Sequence, residues 1–246
     1  MAAIFENLFY TYETCKEYCD NANGVKKYPF DTWYQRQKSF VVNAQNGKNF
    51  RADNLVEFVN TKKVDDIVDI GGGAAWIFHL LQAHGCHFQR YHLVETNESI
   101  ELFKDLTQGF TRLSVSNLGD LDVNGFSESH SILYSNSAFQ YMPNIEEVIN
   151  KLIWNKKWDY ILIDDLQNAS AQSYWTCQRY HGFLVPYQFI KIERLLSLFR
   201  SGGYKLIKKK FYKIVTPDQW EFCIEGDNFT IFPDPSLSLL FKRIDT

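Results

Sequence analysis

The stretch that most constrains the fold is residues 65–76 (DDIVDIGGGAAW), where a short apolar run meets three consecutive glycines. Apolar residues at helical spacing follow it. A second apolar run, residues 91–94, ends on Glu95, which lies 24 residues after Gly71. A strand, a glycine turn, a helix and a second strand closed by an acid are typical of a parallel α/β sheet.

Strand and helix patterns continue to alternate along the chain. This alternation predicts an α/β fold built on a doubly wound, mostly parallel sheet of seven strands. The stretch between the last two predicted strands is rich in proline and glycine and leaves little room for a crossover helix. We therefore expect the last strand to run antiparallel to its neighbours. The predicted strands are residues 67–70, 91–94, 111–115, 131–134, 160–163, 204–214 and 237–244.

The chain is predicted to have an N-terminal extension and one main domain. Residues 1–53 are aromatic-rich, with Phe5, Leu8, Phe9 and Tyr12 at helical spacing, and we expect a helical extension or cap. Residues 54–246 form the main domain, with a lid-like insert at about 165–187. The aromatic N-terminus is expected to cover the pocket or to support a homodimer.

Composition excludes several kinds of partner. The formal charge is -3 and the pI is about 6.1, so nothing attracts the whole chain to nucleic acid. We identify no signal peptide and no apolar run long enough for a membrane span, and we expect a cytoplasmic protein without membrane contact. The five cysteines are expected to be reduced thiols, and no metal site is predicted from their spacing. They are Cys15, Cys19, Cys86, Cys177 and Cys223.

The glycine turn (Gly71, Gly72 and Gly73) favours one class of cofactor over another. A dinucleotide site has the pattern Gly-x-Gly-x-x-Gly, and its third glycine would fall on Trp76, whose indole obstructs close helix–strand packing. S-adenosylmethionine carries ribose and adenine without phosphate, and the carboxylate of Glu95 can accept both ribose hydroxyls. Two alternatives stay open: a plain tight turn followed by an acid at a helix start, and an NAD(P)-dependent reductase.

Three motifs resemble those of the class I S-adenosylmethionine-dependent methyltransferases: residues 68–73 (VDIGGG), 93–95 (LVE) and 132–143 (ILYSNSAFQYMP). The resemblance covers about residues 54 to 244. It implies a Rossmann-like fold with an antiparallel last strand, S-adenosyl-L-methionine as cofactor and S-adenosyl-L-homocysteine as product. A narrower resemblance is to a bacterial group of methyltransferases associated with surface-polysaccharide genes. Residues 164–166 depart from that group's pattern, and Gln178 and Pro186–Tyr187 match its downstream part only loosely.

The resemblance also implies roles for individual residues. Asp69 and the glycine turn would contact the methionine end of the cofactor. Glu95 would bind the ribose, and Thr96 would neighbour the adenine. The other cofactor-binding residues implied are Ser116 and Asn117 near the adenine edge, and Ser135 and Asn136 over the methionine.

Candidate groups for proton transfer lie near the carboxyl ends of strands four and five, where an open α/β sheet binds ligands. Asp164 and Asp165 are neighbours in a strand and should point to opposite faces, so at most one is expected to face the site. The candidate catalytic residues are His181, Asp164 and Gln140, and the candidate substrate-binding residues are Tyr141, Asp165, Gln178, Arg179 and Tyr187. The structural alternatives are a solvated turn for the acids, an incidental loop position for the histidine, and simple packing for the aromatics.

These features together predict a methyltransferase that acts on a small polar molecule. We expect O-methylation of a sugar-like or nucleotide-linked hydroxyl, as in polysaccharide biosynthesis. A metal-dependent variant would need an acid where Ser135 and Asn136 stand, so no metal is expected. The acidic balance disfavours polynucleotide substrates. A methyltransferase-like protein that binds the cofactor without turnover is the remaining alternative.

Overall fold

The computed structural model describes residues 5–48, 52–127, 129–154, 158–213, 224–226, 229–231 and 234–244. These described residues form eight α-helices, two short 3-10 helices and twelve strands arranged in two sheets. The helices are α1 (Tyr12–Asn23), α2 (Phe30–Gln45), α3 (Asp53–Thr61), α4 (Trp76–Ala83), α5 (Asn97–Leu102), α6 (Lys104–Thr107), α7 (Ile145–Trp154) and α8 (Ile192–Ser201).

The strands divide between a sheet of seven and a sheet of five within the described ranges. The seven-stranded sheet contains β2 (Asp66–Ile70), β3 (Arg90–Val94), β4 (Leu113–Ser116), β5 (Ser131–Asn136), β6 (Tyr160–Leu166), β9 (Tyr204–Lys213) and β12 (Ser236–Arg243). The five-stranded sheet contains β1 (Phe5–Phe9), β7 (Tyr174–Tyr180), β8 (Phe183–Phe189), β10 (Ile224–Gly226) and β11 (Phe229–Ile231).

The seven-stranded sheet has the predicted doubly wound topology. Its strand order is β4-β3-β2-β5-β6-β12-β9. The first five strands in that order pair in parallel, whereas β12 pairs antiparallel with both β6 and β9. The predicted antiparallel last strand is therefore confirmed. The carboxyl ends of the parallel strands meet at one edge of the sheet.

Helices cover both faces of this sheet. Every residue of β2 is buried. Ile67 lies in the core cluster that contains residues of α3 and α4, while its neighbour Val68 lies in the cluster that contains residues of α7 and α8. Burial on both faces explains why the strand reads as a nearly continuous apolar run. Among the described residues, no helix combines the length and apolar character that crossing a bilayer requires.

The N-terminal region is helical in α1 and α2, but it begins with a strand where helical spacing suggested a helix. β1 pairs antiparallel with β7 and parallel with β10. Phe5 is fully buried against the rings of Tyr187 and Phe189. The spacing of Phe5, Leu8 and Phe9 was misleading because the exposed edge of β7 supplies backbone hydrogen-bond partners that a local pattern does not reveal.

The predicted insert at residues 165–187 contains a regular β hairpin. β7 and β8 pair from Tyr174↔Phe189 to Tyr180↔Phe183. The two-residue turn between them, His181 and Gly182, has positive φ at both residues, 48° and 80°. This matches a type I′ hairpin turn, whose twist suits the flanking strands. The second sheet has the strand order β11-β10-β1-β7-β8, so the hairpin lies beside β1 and β8 is an edge strand.

Candidate active site

Glu95 and the glycine turn meet at the carboxyl edge of the parallel strands. The turn follows β2, and Glu95 follows β3. Oε1 of Glu95 accepts a hydrogen bond from the backbone N–H of Gly73 at 2.7 Å, and Oε2 accepts one from Thr96 at 3.1 Å. Burial raises the pKa of Glu95, and these two backbone donors oppose the rise. The structure thus brings together the turn and the acid that the sequence pattern paired.

Close packing around the turn leaves no room for side chains. Gly71 has φ of 74°, and a Cβ placed on it would lie 2.3 Å from the Cβ of Ala138. A Cβ on Gly72 would lie 2.0 Å from Oδ2 of Asp69. Contacts this short require the backbone or the neighbour to move. The turn therefore needs glycine for space as well as for conformation.

Asp69 lies directly beneath the glycine turn and is fully buried. Its Oδ2 accepts a hydrogen bond from the hydroxyl of Tyr91, and its Oδ1 has no hydrogen-bond partner among the described residues. Burial raises the pKa of Asp69 to about 7, although the Tyr91 hydroxyl opposes the rise. A buried hydrogen-bond acceptor that has no donor destabilises the folded state. Asp69 is thus suited to hold the turn and to accept one more donor.

Helix α2 covers the glycine turn, which the sequence did not predict residue by residue. Oε1 of Gln37 lies 3.4 Å from the backbone N–H of Ala74, and a Cβ on Gly73 would lie 2.5 Å from it. Trp76, where a dinucleotide site would have its third glycine, is buried and lies 6.0 Å from the ring of Phe40 in α2. Gln37 belongs to no recognisable sequence motif, so only its contact with the turn in the folded structure identifies it.

The residues expected near the adenine lie at the end of β4 and in the loops after β3 and β4. The Thr96 hydroxyl caps α5 by accepting a hydrogen bond from Ser99 N–H at 3.2 Å. The Ser116 hydroxyl lies 2.8 Å from Nε2 of His92. The amide of Asn117 donates to Asn97 Oδ1 at 2.9 Å. These contacts join the two loops side by side at the sheet edge.

Ser135 and Asn136 end β5 beside the turn. The buried Ser135 hydroxyl donates to the backbone carbonyl of Ile70, the last residue of β2, at 3.1 Å. The Asn136 amide donates to the hydroxyl of Tyr134 at 3.0 Å. Ser135 therefore fixes the start of the glycine turn, and Asn136 belongs to a polar network that continues into β6.

Asp164 is the centre of that buried network. Its side chain is 0% exposed. Oδ1 accepts hydrogen bonds from Asn54 at 2.8 Å and Ser238 at 2.6 Å, and Oδ2 accepts one from Tyr134 at 3.3 Å. Burial raises the pKa of Asp164, and the three donors lower it in part. Full burial together with three protein donors is typical of a structural carboxylate.

Asp165 points into a different environment from Asp164, as expected for neighbours in a strand. Its carboxylate accepts hydrogen bonds from the hydroxyl of Ser137 and, at 3.2 Å, from the amide of Gln167. Asp165 and Ser137 have positive φ, 52° and 54°, and so does Ala75 at 56° after the glycine turn. Left-handed non-glycine residues are strained by about 1–3 kcal/mol each and concentrate at functional sites.

Gln140, Tyr141, Gln178 and Tyr187 form a polar and aromatic cluster beside Asp165. The Gln140 amide donates to the Asp165 carbonyl at 3.1 Å, and its buried Oε1 lacks a partner within the described ranges. The Tyr141 hydroxyl donates to Oε1 of Gln178 at 2.7 Å, and its ring lies 4.9 Å from that of Tyr187. The structure therefore groups four residues that were predicted for catalysis or substrate binding near Asp165, which was also predicted for substrate binding.

Two residues of the N-terminal region extend this cluster and were not predicted. Burial raises the pKa of Tyr28 to about 12, and the nearby Arg36 opposes the rise. Burial raises the pKa of the Tyr141 phenol; the charge of Asp165 adds to the rise and that of Arg36 opposes it. The guanidinium carbon of Arg36 also lies 5.6 Å from the ring centroid of Tyr180. Helix α2 therefore reaches the glycine turn through Gln37 and the Tyr141 cluster through Arg36.

Arg179 and His181 are placed away from these groups. Arg179 forms an ion pair with Glu6 of β1. His181 occupies the exposed hairpin turn, and its ring lies 4.6 Å from that of Tyr180. The structure records no contact between His181 and Asp164 among the described residues. Their shared role in catalysis stays a prediction.

The overall architecture is shared with methyltransferases of known structure. A methyltransferase from Methanosarcina mazei superposes with a TM-score of 0.52 at 12% identity, covering 74% of this chain and 94% of its own. One from Mesorhizobium loti gives 0.51 at 13% identity, with 80% and 100% covered. The fold is that of the class I S-adenosylmethionine-dependent methyltransferases.

A third solved structure with this fold contains both a bound substrate and the product that forms from the cofactor. It is 1,6-didemethyltoxoflavin-N1-methyltransferase from Burkholderia thailandensis with bound 1,6-didemethyltoxoflavin and S-adenosylhomocysteine. It superposes with a TM-score of 0.50 at 12% identity, covering 89% of this chain and 92% of its own. The sequence matches no protein-family model and no curated protein. At these identities the likeness establishes the fold.

Proposed function

We propose that this protein is an S-adenosylmethionine-dependent methyltransferase that acts on a small polar molecule. The observation that carries the proposal is the contact between Glu95 and the N–H of Gly73, at the carboxyl edge of a sheet with methyltransferase topology. The Burkholderia enzyme of the same fold, solved with S-adenosylhomocysteine, supports the choice of cofactor.

The residues present fit this cofactor. The glycine turn exposes backbone where a Cβ would clash, and Oδ1 of Asp69 is a buried acceptor without a donor in the described structure. Glu95 would accept the ribose hydroxyls, while Asp69 and the glycine turn would hold the methionine end. The loops that carry Thr96, Ser116 and Asn117 would line the adenine. Bound S-adenosylmethionine supplies a methyl group activated by its sulfonium.

We assign the acceptor to the cluster around Asp165. A hydroxyl acceptor must lose its proton on methylation, and Asp165 is the acid on this side of the strand. Oε1 of Gln140, which has no hydrogen-bond partner among the described residues, can accept a hydrogen bond from the same molecule. Tyr141, Gln178 and Tyr187 would form its wall, and Arg36 would attract an anionic group such as a phosphate. Asp164, which is 0% exposed and has three protein donors, would position β6, whereas the partly exposed Asp165 would take the proton.

This arrangement favours a sugar-like or nucleotide-linked hydroxyl as acceptor. Polar side chains and a nearby guanidinium suit a hydroxyl-rich molecule that carries negative charge. The narrower resemblance to methyltransferases associated with surface-polysaccharide genes points to the same chemistry. We further propose that α2 and the β7–β8 hairpin form the cap over this site. A homodimer through the aromatic N-terminal region stays a prediction.

Removing the carboxylate of Glu95 is expected to weaken cofactor binding. The Glu95→Ala variant should bind S-adenosylhomocysteine about 1–3 kcal/mol more weakly, because the ribose hydroxyls lose their acceptor. Isothermal titration calorimetry measures the change. Glu98→Ala is the matched control, because Glu98 is an exposed acid three residues away on α5. Equal affinity of wild type and Glu95→Ala would remove Glu95 from the cofactor site.

A further inference from the structure

Three thiols that are far apart in sequence meet in one buried cluster. Cys15 and Cys19 lie one helical turn apart on the same face of α1, and Cys177 lies in β7, inside the second sheet. Sγ of Cys177 is 2.7 Å from that of Cys19 and 3.6 Å from that of Cys15, and the three sulfurs lie within 4.8 Å of one another. All three side chains are at most 1% exposed.

We propose that Cys15, Cys19 and Cys177 bind one thiophilic metal ion, Zn²⁺ or Cu⁺. Thiolate sulfur is the ligand that these d¹⁰ ions share. With metal–sulfur bonds of about 2.3 Å, two ligating sulfurs are about 3.8–4.0 Å apart. The separation between Cys15 and Cys177 is already close to this value. Cys19 reaches it by opening its 2.7 Å contact through a small rotation of its side chain.

The number of thiols favours a metal ion over a disulfide. A disulfide between Cys19 and Cys177 would use two thiols and leave the third, Cys15, beside it without a role. Within the described ranges, no histidine, aspartate or glutamate joins the group. Three sulfurs alone suit trigonal Cu⁺, whereas Zn²⁺ would complete its usual four ligands with a water or a backbone carbonyl. The Thr176 carbonyl, 3.3 Å from Sγ of Cys15, is the nearest such group recorded.

The surroundings of the cluster are apolar, so a charge there needs a counter-ion. The thiols pack among Trp175, Leu184 and the rings of Phe9, Tyr12 and Tyr18. Only the thiolate form is a metal ligand, so binding of a metal ion releases the thiol protons and the cation balances the charge that remains.

A metal ion at this position would link α1 to the second sheet. Cys15 and Cys19 belong to the N-terminal region, whereas Cys177 belongs to the hairpin 158 residues further along the chain. The ion would therefore stabilise the docking of the N-terminal region on the hairpin. This role is independent of methyl transfer, because the cluster shares no residue with the glycine turn or the Asp165 cluster.

The test measures metal binding by the full-length protein. The reduced, metal-free protein is titrated with Zn²⁺, Cd²⁺ and Cu⁺, and stoichiometry is read from elemental analysis and from the thiolate-to-metal charge-transfer band in the ultraviolet. We expect one ion per chain and a higher Tm in its presence.

Serine variants identify the ligands. Cys15→Ser, Cys19→Ser and Cys177→Ser should each weaken binding by more than about 100-fold. Cys86→Ser is the matched control, because Cys86 is also buried but lies in the core cluster of the main sheet. Substoichiometric binding of all three ions by folded wild type would overturn the proposal. A thiol count two below that expected for the native protein, showing a Cys19–Cys177 disulfide, would also overturn it. Equal metal binding by Cys86→Ser and by the three ligand variants would overturn it as well.

Discussion

Replacing Asp164 with alanine is expected to lower the free energy of unfolding by about 3–5 kcal/mol, because Asn54, Ser238 and Tyr134 would lose their buried acceptor. Asp164→Asn should lower it by less than about 1.5 kcal/mol. The amide oxygen keeps an acceptor for Asn54 and Ser238, and its N–H₂ can donate to the Tyr134 hydroxyl. Urea denaturation measures both changes.

Comparison of Asp165→Asn with Asp164→Asn distinguishes a catalytic role from a structural one. Asp165→Asn should keep stability within about 1.5 kcal/mol. It should slow formation of S-adenosylhomocysteine by about 10²–10⁴-fold on a hydroxyl acceptor, because the proton loses its base. Asp164→Asn should keep most turnover. If Asp164→Asn loses turnover at unchanged stability while Asp165→Asn remains active, Asp164 is the base and the assignment proposed here is wrong.

Replacing Gly71 with alanine is expected to lower the free energy of unfolding by about 2–4 kcal/mol and to weaken S-adenosylhomocysteine binding at least tenfold. The left-handed φ of 74° strains any residue with a Cβ. The new methyl group would also lie 2.3 Å from the Cβ of Ala138, so the turn must shift. A shift of the turn moves the Gly73 N–H away from Glu95. Thermal denaturation and calorimetry measure the two effects.

Gly109→Ala is the control for conformational strain. Gly109 has φ of 87°, but a Cβ on it would meet nothing within 4 Å. This variant should lose about 1–2 kcal/mol of stability and keep full cofactor affinity. The difference between the two variants isolates the close approach at the turn. Equal losses of stability, together with unchanged affinity in Gly71→Ala, would show that the packing of this turn does not matter for binding.

The parts of the site that are close in sequence could be predicted. Asp69, the glycine turn and Glu95 lie within one strand–turn–helix–strand unit, and parallel pairing brings the ends of its two strands together. The antiparallel last strand followed from the lack of room for a crossover helix. Local pattern and global topology agree at these positions, so the sequence was informative there.

The remaining parts depend on contacts that a single sequence does not display. Alternation in β6 indicated that only one of Asp164 and Asp165 faces the site, but not which one. Our proposal of Asp165 rests on the donors that hold Asp164, which come from α3 and β12, far away in the chain. Gln37 and Arg36 reach the candidate site through the packing of α2, and Cys177 meets the other two thiols where α1 packs on β7 and β8. The helical spacing of apolar residues in β1 gave a wrong prediction for the same reason, because β1 pairs with strands far away in the chain.

Cofactor choice tests the central claim most directly. Purified wild type should bind S-adenosylhomocysteine with one site per chain in a calorimetric titration and show no heat of binding with NADH or NADPH. At a ligand concentration 100 times the Kd, the bound protein should gain about 2.7 kcal/mol of stability. Binding of NADH or NADPH, with no binding of S-adenosylmethionine or S-adenosylhomocysteine, would contradict the account.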